Sequence, residues 1–517
     1  MQSPSHESQA VTRTALYLAL ASLTIAACFV LRYPSLFEPR WYGDEGIFSA
    51  IAQNIRHGRT LYSGAWDNKP PLIFFTYAAV QSLFGTGTLA LHLVATIVVL
   101  ATQVVVMVIA LRLYGRRRAL VAGVVFAFGM GTPLLEADLA MTETFMILPT
   151  SLAVLAFVLA QQRPESRRTV PYAVAGLLLG VAAGYKQVAV FDGAAIGMMI
   201  WLTHEHRMRA LAPIAIGFAV PQIAFALLFA AMGAFTAYWY AIVGSLGVYS
   251  SLSDDNPFVK FVGFLPALLA VAWLVRRKRL GGAITMQFFP VLWLAFAVAG
   301  ATSSTFAFPH YLQQAVPALA LVIAANPLSL ETEDTGKIAL AIGGILVAAV
   351  VFGQFGPAFR ERKQLHPIEY YRTFASHQYG TMSDLDYDYY FDGKTIAVRD
   401  IVRYIDADDA GSTAYAWSEL PWLYAAGGLT NPTRYYTSFL GEVIPGAKTE
   451  ILRDLDAHPP VYVVVSEDTY APFDGLERFL DGRYALLHQQ NDWRIYRLTS
   501  ASGRLPLETS LARTPAR

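Results

Sequence analysis

The chain is a succession of long apolar runs separated by short polar stretches, and these runs decide what it can become. They lie near residues 15–31, 87–111, 119–135, 142–160, 211–231, 258–275, 284–302, 311–326 and 338–353. Most approach the ~17–25 residues that an α-helix needs to cross a bilayer. In lipid each backbone N–H and C=O must be satisfied within its own segment, so such runs fold as helices. Only 15% of the residues are charged and the mean hydropathy is +0.40, against about 25% charged in soluble domains. The sequence is that of a polytopic α-helical membrane protein. The first run exceeds the usual ~7–15-residue apolar region of a signal peptide and reads as an uncleaved anchor.

Two apolar segments have the wrong length for one span. Residues 170–202 are too many, and residues 72–84 are too few and suit an interfacial or re-entrant helix. Basic residues orient the rest. Arg112 with Arg116–Arg118, then Arg163, Arg167 and Arg168, then Arg207 and Arg209, and Arg276–Arg279 mark four cytoplasmic loops. Both loops flanking 170–202 are basic, so that segment is expected to be a hairpin of two short helices. Its turn, carrying Lys186, Gln187 and Asp192, would face outward or lie in a shallow outward cavity. The expected topology has about eleven spans, a cytoplasmic N-terminus and an exported tail.

The expected domains are 1–355, a membrane domain with a first outer loop at 32–86, and 356–517, an extracytoplasmic α/β domain. The tail is polar and aromatic, with strand-like runs at 413–417, 461–465 and 493–498 between Pro, Gly and Asp. The single cysteine, Cys28, permits no intrachain disulfide or cysteine-based metal site. The basic residues form short clusters between apolar runs, with no basic domain for nucleic acid.

This topology collects unusual charges on one outer surface. Asp44, Glu45, Asp67 and Lys69 fall in the first loop, Glu136, Asp138 and Glu143 between two spans, Lys186 at the hairpin turn, and His310 with Tyr311 before a late span. Charges beside a membrane core are costly unless solvated or paired, which makes them functional candidates by default. Each has a plainer role as well. Asp44 and Glu45 suit a helix start, Lys69 suits the membrane interface, Glu143 suits an ion pair with a nearby lysine, and His310 an interfacial hydrogen bond. His92, Glu136 and Asp138 stay with the plainer role. Pro70 and Pro71 restrict the backbone around Lys69.

The pair Asp44–Glu45 after the first span, followed by Asp67-Asn68-Lys69-Pro70-Pro71-Leu72 and a short aromatic helix ending Leu83-Phe84-Gly85, resembles the GT-C glycosyltransferases. The resemblance is to the branch related to protein O-mannosyltransferases and to the bacterial aminoarabinose transferases that modify lipid A. Gly184-Tyr185-Lys186-Gln187 is similar to that branch's outer turn, and Pro309-His310-Tyr311 through Pro317 to its late helix. Trp417–Tyr424 with Arg434-Tyr435 is similar to the outer domains of bacterial members. Where the branch has an arginine after the third span, this chain has Glu136–Glu143.

The resemblance implies a GT-C fold in a bacterial plasma membrane, a polyprenyl-phosphate sugar donor, an outward site and inversion at the sugar. The acceptor would be a hydroxyl of a lipid, glycan or protein. Asp44 is the expected base, with Glu45 either the next candidate for that role or a helper that orients the acceptor. Lys69 and Lys186 would hold the donor phosphate as point charges. Asp67, Asp138, Glu143, His310 and Tyr311 are expected substrate contacts. No cofactor is implied: a divalent metal could bridge phosphate and Asp44, but the outer loops contain no HxxxH, DxD or HExxH pattern. Two other readings fit the composition. A transporter or flippase would explain a broken hairpin with an intramembrane lysine, and a non-catalytic envelope scaffold would explain the exported tail.

Overall fold

The structure, a computed structural model, describes residues 6–250, 257–303, 306–326, 334–405, 412–467, 469–490 and 492–499. Packing divides the chain into two units, Met1–Arg40 with Asn68–Phe391 and Trp41–Asp67 with Asp392–Arg517.

The first unit is helical. Among the described residues five helices are long and apolar enough to cross a membrane: Val11–Phe37, Thr88–Tyr114, Thr142–Gln161, Arg207–Ala231 and Gly343–Glu361. Shorter apolar helices run Leu72–Phe84, Thr169–Ala183, Ala189–Thr203 and Met286–Thr302. Two expectations from run length hold. Residues 72–84 form one short helix, and 170–202 break into two, with a turn at 184–188 carrying Lys186 and Gln187. Asp192 is a correction. It sits in the first turn of Ala189–Thr203, buried, accepting from the Trp293 indole at 2.6 Å and from Gln314 Nε2 at 2.7 Å. A carboxylate in an apolar helix is satisfied by such neighbours more readily than by a turn.

The outward face of these helices is greasy. On Arg207–Ala231, Ile216, Val220, Ile223 and Leu227 recur every three or four residues and are all more than half exposed. On a helix of membrane length, such a ridge suits contact with lipid. Inside, small residues allow close helix crossing. A Cβ on Gly176 would lie 2.0 Å from the Ile214 carbonyl oxygen, and one on Gly217 2.1 Å from that of Ala173. Thr169–Ala183 and Arg207–Ala231 therefore touch backbone to backbone.

The expected boundary at 355 does not coincide with the packing division. The helix Asp334–Glu361 runs past it, and helices Pro367–Gln378 and Asp384–Phe391 belong to the first unit. Tyr371 donates to the Leu31 carbonyl at 2.9 Å, and Tyr370 donates to Glu38 at 2.5 Å. Residues 41–67 of the expected 32–86 loop fold instead with the tail.

The second unit is built on a four-stranded sheet, β1 (Ala414–Trp417), β2 (Tyr462–Ser466), β3 (Tyr484–Gln490) and β4 (Trp493–Leu498), in the order β1-β2-β4-β3. β1 and β2 are parallel; β2–β4 and β3–β4 are antiparallel, with a bulge between Leu486 and His488. The helix Gly43–Arg56 packs on the short helix Trp422–Gly427. Gly46 is the contact point, since a Cβ there would lie 2.9 Å from the Trp422 backbone nitrogen. Trp422 donates its indole N–H to the Tyr42 carbonyl at 2.9 Å, Gln53 donates to Leu429 O at 2.9 Å, and Asn54 donates to the Tyr436 hydroxyl at 2.6 Å.

Candidate functional site

Four segments of the first unit converge on the hairpin turn. Gly184 accepts at its carbonyl from the Leu72 amide at 3.0 Å, and Gln187 Nε2 donates to Asn68 O at 3.4 Å. The rigid Asn68-Lys69-Pro70-Pro71 stretch is thereby held against the turn that carries Lys186. Lys69 itself is half-buried. Tyr185 continues the contact, its hydroxyl 3.1 Å from Thr76 Oγ1 and its ring stacked on Phe145 with centroids 5.7 Å apart.

Lys186 pairs with Glu143, and its ammonium lies 3.7 Å from the centre of the Tyr311 ring. Glu143 is 1% exposed and Lys186 14%, so the cation is the accessible partner. Thr142 Oγ1 donates to the other Glu143 oxygen at 2.6 Å. His310 Nε2 stands 4.0 Å from Glu143, while its Nδ1 is 2.5 Å from Glu136 Oε2. Glu136 in turn pairs with Arg362. The result is an alternating series of carboxylates and cationic or imidazole groups, drawn from the 133–143 loop region, the hairpin turn, the 309–311 turn and the end of the last long helix. Burial alone would raise the Glu136 carboxyl, but hydrogen bonding to His310 and the charges of His310 and Arg362 hold it below the ordinary carboxylate range.

Asp138 belongs to a different group. Arg32, buried at 1% exposure, donates to Thr96 Oγ1 at 3.1 Å, to Met130 O at 2.9 Å, to Ala137 O and to Asp138 O at 3.4 Å. It ties down the loop after residue 131. Burial, and then the neighbouring Glu38 carboxylate, push the Asp138 carboxyl well above its ordinary range. His92 is also internal to the unit, its Nδ1 2.5 Å from Ser35 O.

The structure thus brings Lys186, Glu143, His310 and Tyr311 together, with Lys69 on a segment tied to the same turn. Asp44, Glu45 and Asp67 are residues of the second unit. Asp44 and Glu45 occupy the first turn of Gly43–Arg56, Asp44 half-buried and Glu45 buried, and Asp67 is buried at the end of its segment. The tail motif has a structural part: Trp417 closes β1, Trp422 seats the helix Gly43–Arg56, and Arg434 accepts at its carbonyl from the Trp66 amide at 2.9 Å. Sequence reasoning missed Arg32, Glu38, Tyr370 and Arg362. Arg32 was visible as a charge at the end of the first apolar run, and Arg362 as one of several basic residues after the last run. Among the described residues no group of three or more His, Cys, Asp or Glu is arranged to hold a metal ion.

Residues 68–232 match the family described as dolichyl-phosphate-mannose-protein mannosyltransferase. The fold is similar to that of ArnT from Cupriavidus metallidurans bound to undecaprenyl phosphate, with a TM-score of 0.59, 16% identity, and 94% of this chain and 99% of that one covered. ArnT from the same organism in the apo state gives 0.56, again at 16% identity, covering 95% and 98%. The apo oligosaccharyltransferase of Archaeoglobus fulgidus gives 0.49 at 12% identity, covering 87% and 69%. No protein of curated function is similar in sequence at a significant level. Apolar helices of membrane length, the mannosyltransferase match across the Lys69–Lys186 region and a fold shared with ArnT along nearly the whole chain make this a multi-pass membrane protein of the GT-C glycosyltransferase fold.

Proposed function

We propose that the protein transfers a sugar from a polyprenyl-phosphate-linked donor to a hydroxyl acceptor on the outer membrane face, with inversion at the sugar carbon. The observation that carries this reading is the Lys186 turn. A partly accessible ammonium, backed by a buried carboxylate and an aromatic ring, is held against the rigid Lys69 segment. Two lysines presented from tethered backbone suit a lipid phosphate. A protein of the same fold, ArnT, is bound to undecaprenyl phosphate.

In this reading the acceptor O–H gives its proton to the Asp44 carboxylate as its oxygen bonds the anomeric carbon. The bond from that carbon to the phosphate oxygen breaks, and polyprenyl phosphate leaves with one more negative charge. Pre-placed cations stabilise such developing charge, which assigns Lys69 and Lys186 to the leaving phosphate. The transition state is oxocarbenium-like, so a carboxylate also stabilises the sugar ring. Glu45 helps orient the acceptor, and Asp67, Glu143, His310 and Tyr311 shape the substrate surroundings. Asp138, turned toward Glu38, is proposed to support the loop. The topology proposed has about eleven crossings with a cytoplasmic N-terminus.

The deciding experiment uses purified protein with a panel of polyprenyl-phosphate sugars. Release of polyprenyl phosphate coupled to glycosylation of an added hydroxyl acceptor is the expected result. Movement of the intact donor across proteoliposomes without bond cleavage would make the protein a carrier and overturn the reading.

A further inference from the structure

One charged side chain at the converging segments has no part in the reaction just described. Arg362 follows the last long helix, Gly343–Glu361, and its side chain is 34% exposed, more than that of Lys186. Glu136, 2% exposed, holds it from behind. Its guanidinium carbon lies 5.3 Å from the centre of the Phe308 ring, as the Lys186 ammonium lies over Tyr311.

The two aromatic platforms are neighbours. Phe308 and Tyr311 are joined by a backbone hydrogen bond from the Tyr311 amide to Phe308 O at 3.0 Å, and their rings meet edge to face with centroids 5.8 Å apart. His310 stacks on Phe308 and bridges the two buried acids, Glu136 and Glu143. One turn of chain therefore supplies the aromatic faces for two partly exposed cations from two other segments, each backed by its own buried carboxylate. Held by this pair, Arg362 still keeps part of its side chain exposed. A guanidinium also carries five N–H donors in a planar fork that matches a phosphate.

We propose that Arg362 is a third anion-binding residue of the donor site, donating to a phosphate oxygen of the lipid-linked donor alongside Lys69 and Lys186, with Glu136 as the residue that positions it. The inference rests on the polyprenyl-phosphate reading above. Lys69 and Lys186 act as point charges, and Arg362 adds the planar fork that fixes the orientation of the phosphate.

The test is binding of undecaprenyl phosphate to the full-length detergent-solubilised protein, alongside transfer kinetics. Arg362→Gln is expected to weaken that binding about 10- to 100-fold, the value of a charged hydrogen bond, and to raise KM for the donor but not for the acceptor. Arg362→Lys keeps a cation for Glu136 and loses the fork, so an intermediate loss is expected. It also decides the matter should Arg362→Gln fail to fold. Glu136→Gln should weaken binding in the wild-type background and add little to Arg362→Gln. Wild-type binding of undecaprenyl phosphate by both Arg362 variants would overturn this inference and leave the donor reading standing. A wild-type protein that binds no undecaprenyl phosphate would overturn both.

Discussion

Glu143 and Lys186 meet as a buried carboxylate and a partly accessible ammonium, with 1% and 14% of their side chains exposed. The pair joins a membrane-length helix to the hairpin turn, and each partner makes the other tolerable in a low-dielectric setting. Lys186→Ala would strand the carboxylate, and breaking a buried pair from one side costs about 3–5 kcal/mol. Thermal unfolding in detergent should show that loss. Adding Glu143→Gln should recover most of the stability and none of the transfer activity. Recovery of both would make the lysine a structural counter-ion and nothing more.

Lys69 and Lys186 are expected to act on one phosphate. Lys69→Ala and Lys186→Ala should each weaken donor binding by about 1.5–3 kcal/mol, and residues sharing a partner should couple. A double-mutant cycle on donor kinetics reads the coupling directly. Strict additivity, or a loss confined to acceptor affinity, would separate the two lysines.

Asp44→Asn keeps the shape of the side chain and removes its basicity. It should lower kcat by roughly 10²–10⁴-fold, the usual contribution of a positioned base, while donor binding stays near wild type. Glu45→Gln should cost less. Near-normal turnover of Asp44→Asn with a dead Glu45→Gln would exchange their roles.

Asp138 gives a pH signature. Burial and the Glu38 charge raise its carboxyl in the folded state, so the fold binds a proton that the unfolded chain releases near pH ~4. The stabilisation is present below that pH and is lost as pH rises through the raised value. Melting temperature should therefore fall as pH rises from about 4 toward neutrality, and Asp138→Asn, which mimics the protonated group, should flatten that dependence. An unchanged slope would place the proton elsewhere.

Orientation is open to direct labelling. In a Cys28→Ala background, a cysteine at 400 should react with a membrane-impermeant reagent and one at 277 should not. A cysteine at 187 should react far faster than one at 165. Labelling at 277 from outside would reverse the topology on which the outward site depends.

Much of the membrane unit could be read from local pattern, because run length and basic flanks are local properties. The short helix Leu72–Phe84 and the break at 184–188 followed from lengths that fit no single span. Three of the four strands match, to within a residue, the runs at 413–417, 461–465 and 493–498; β3, reading YALLHQQ, has one aromatic and no β-branched residue and is defined by its pairing with β4. The partners of polar side chains were harder. Glu136 meets Arg362 across 226 residues, a relation that no local spacing encodes. Arg32 was hidden for the opposite reason: a basic residue ending an apolar run looks like an ordinary anchor, yet its guanidinium faces inward to carbonyls at 130, 137 and 138.

The helix that opens with Asp44 and Glu45 is also a clock. Gln53 finds its carbonyl partner at Leu429, 376 residues later, and Asn54 its partner at Tyr436. Translation at ~5–20 residues per second puts roughly 20–75 s between the emergence of the two halves. Through that interval the acids precede the surface that seats them. A chain released early would insert its membrane helices and still lack the support for its proposed base, so ribosomes stalled before residue 414 should yield membrane-inserted but inactive protein.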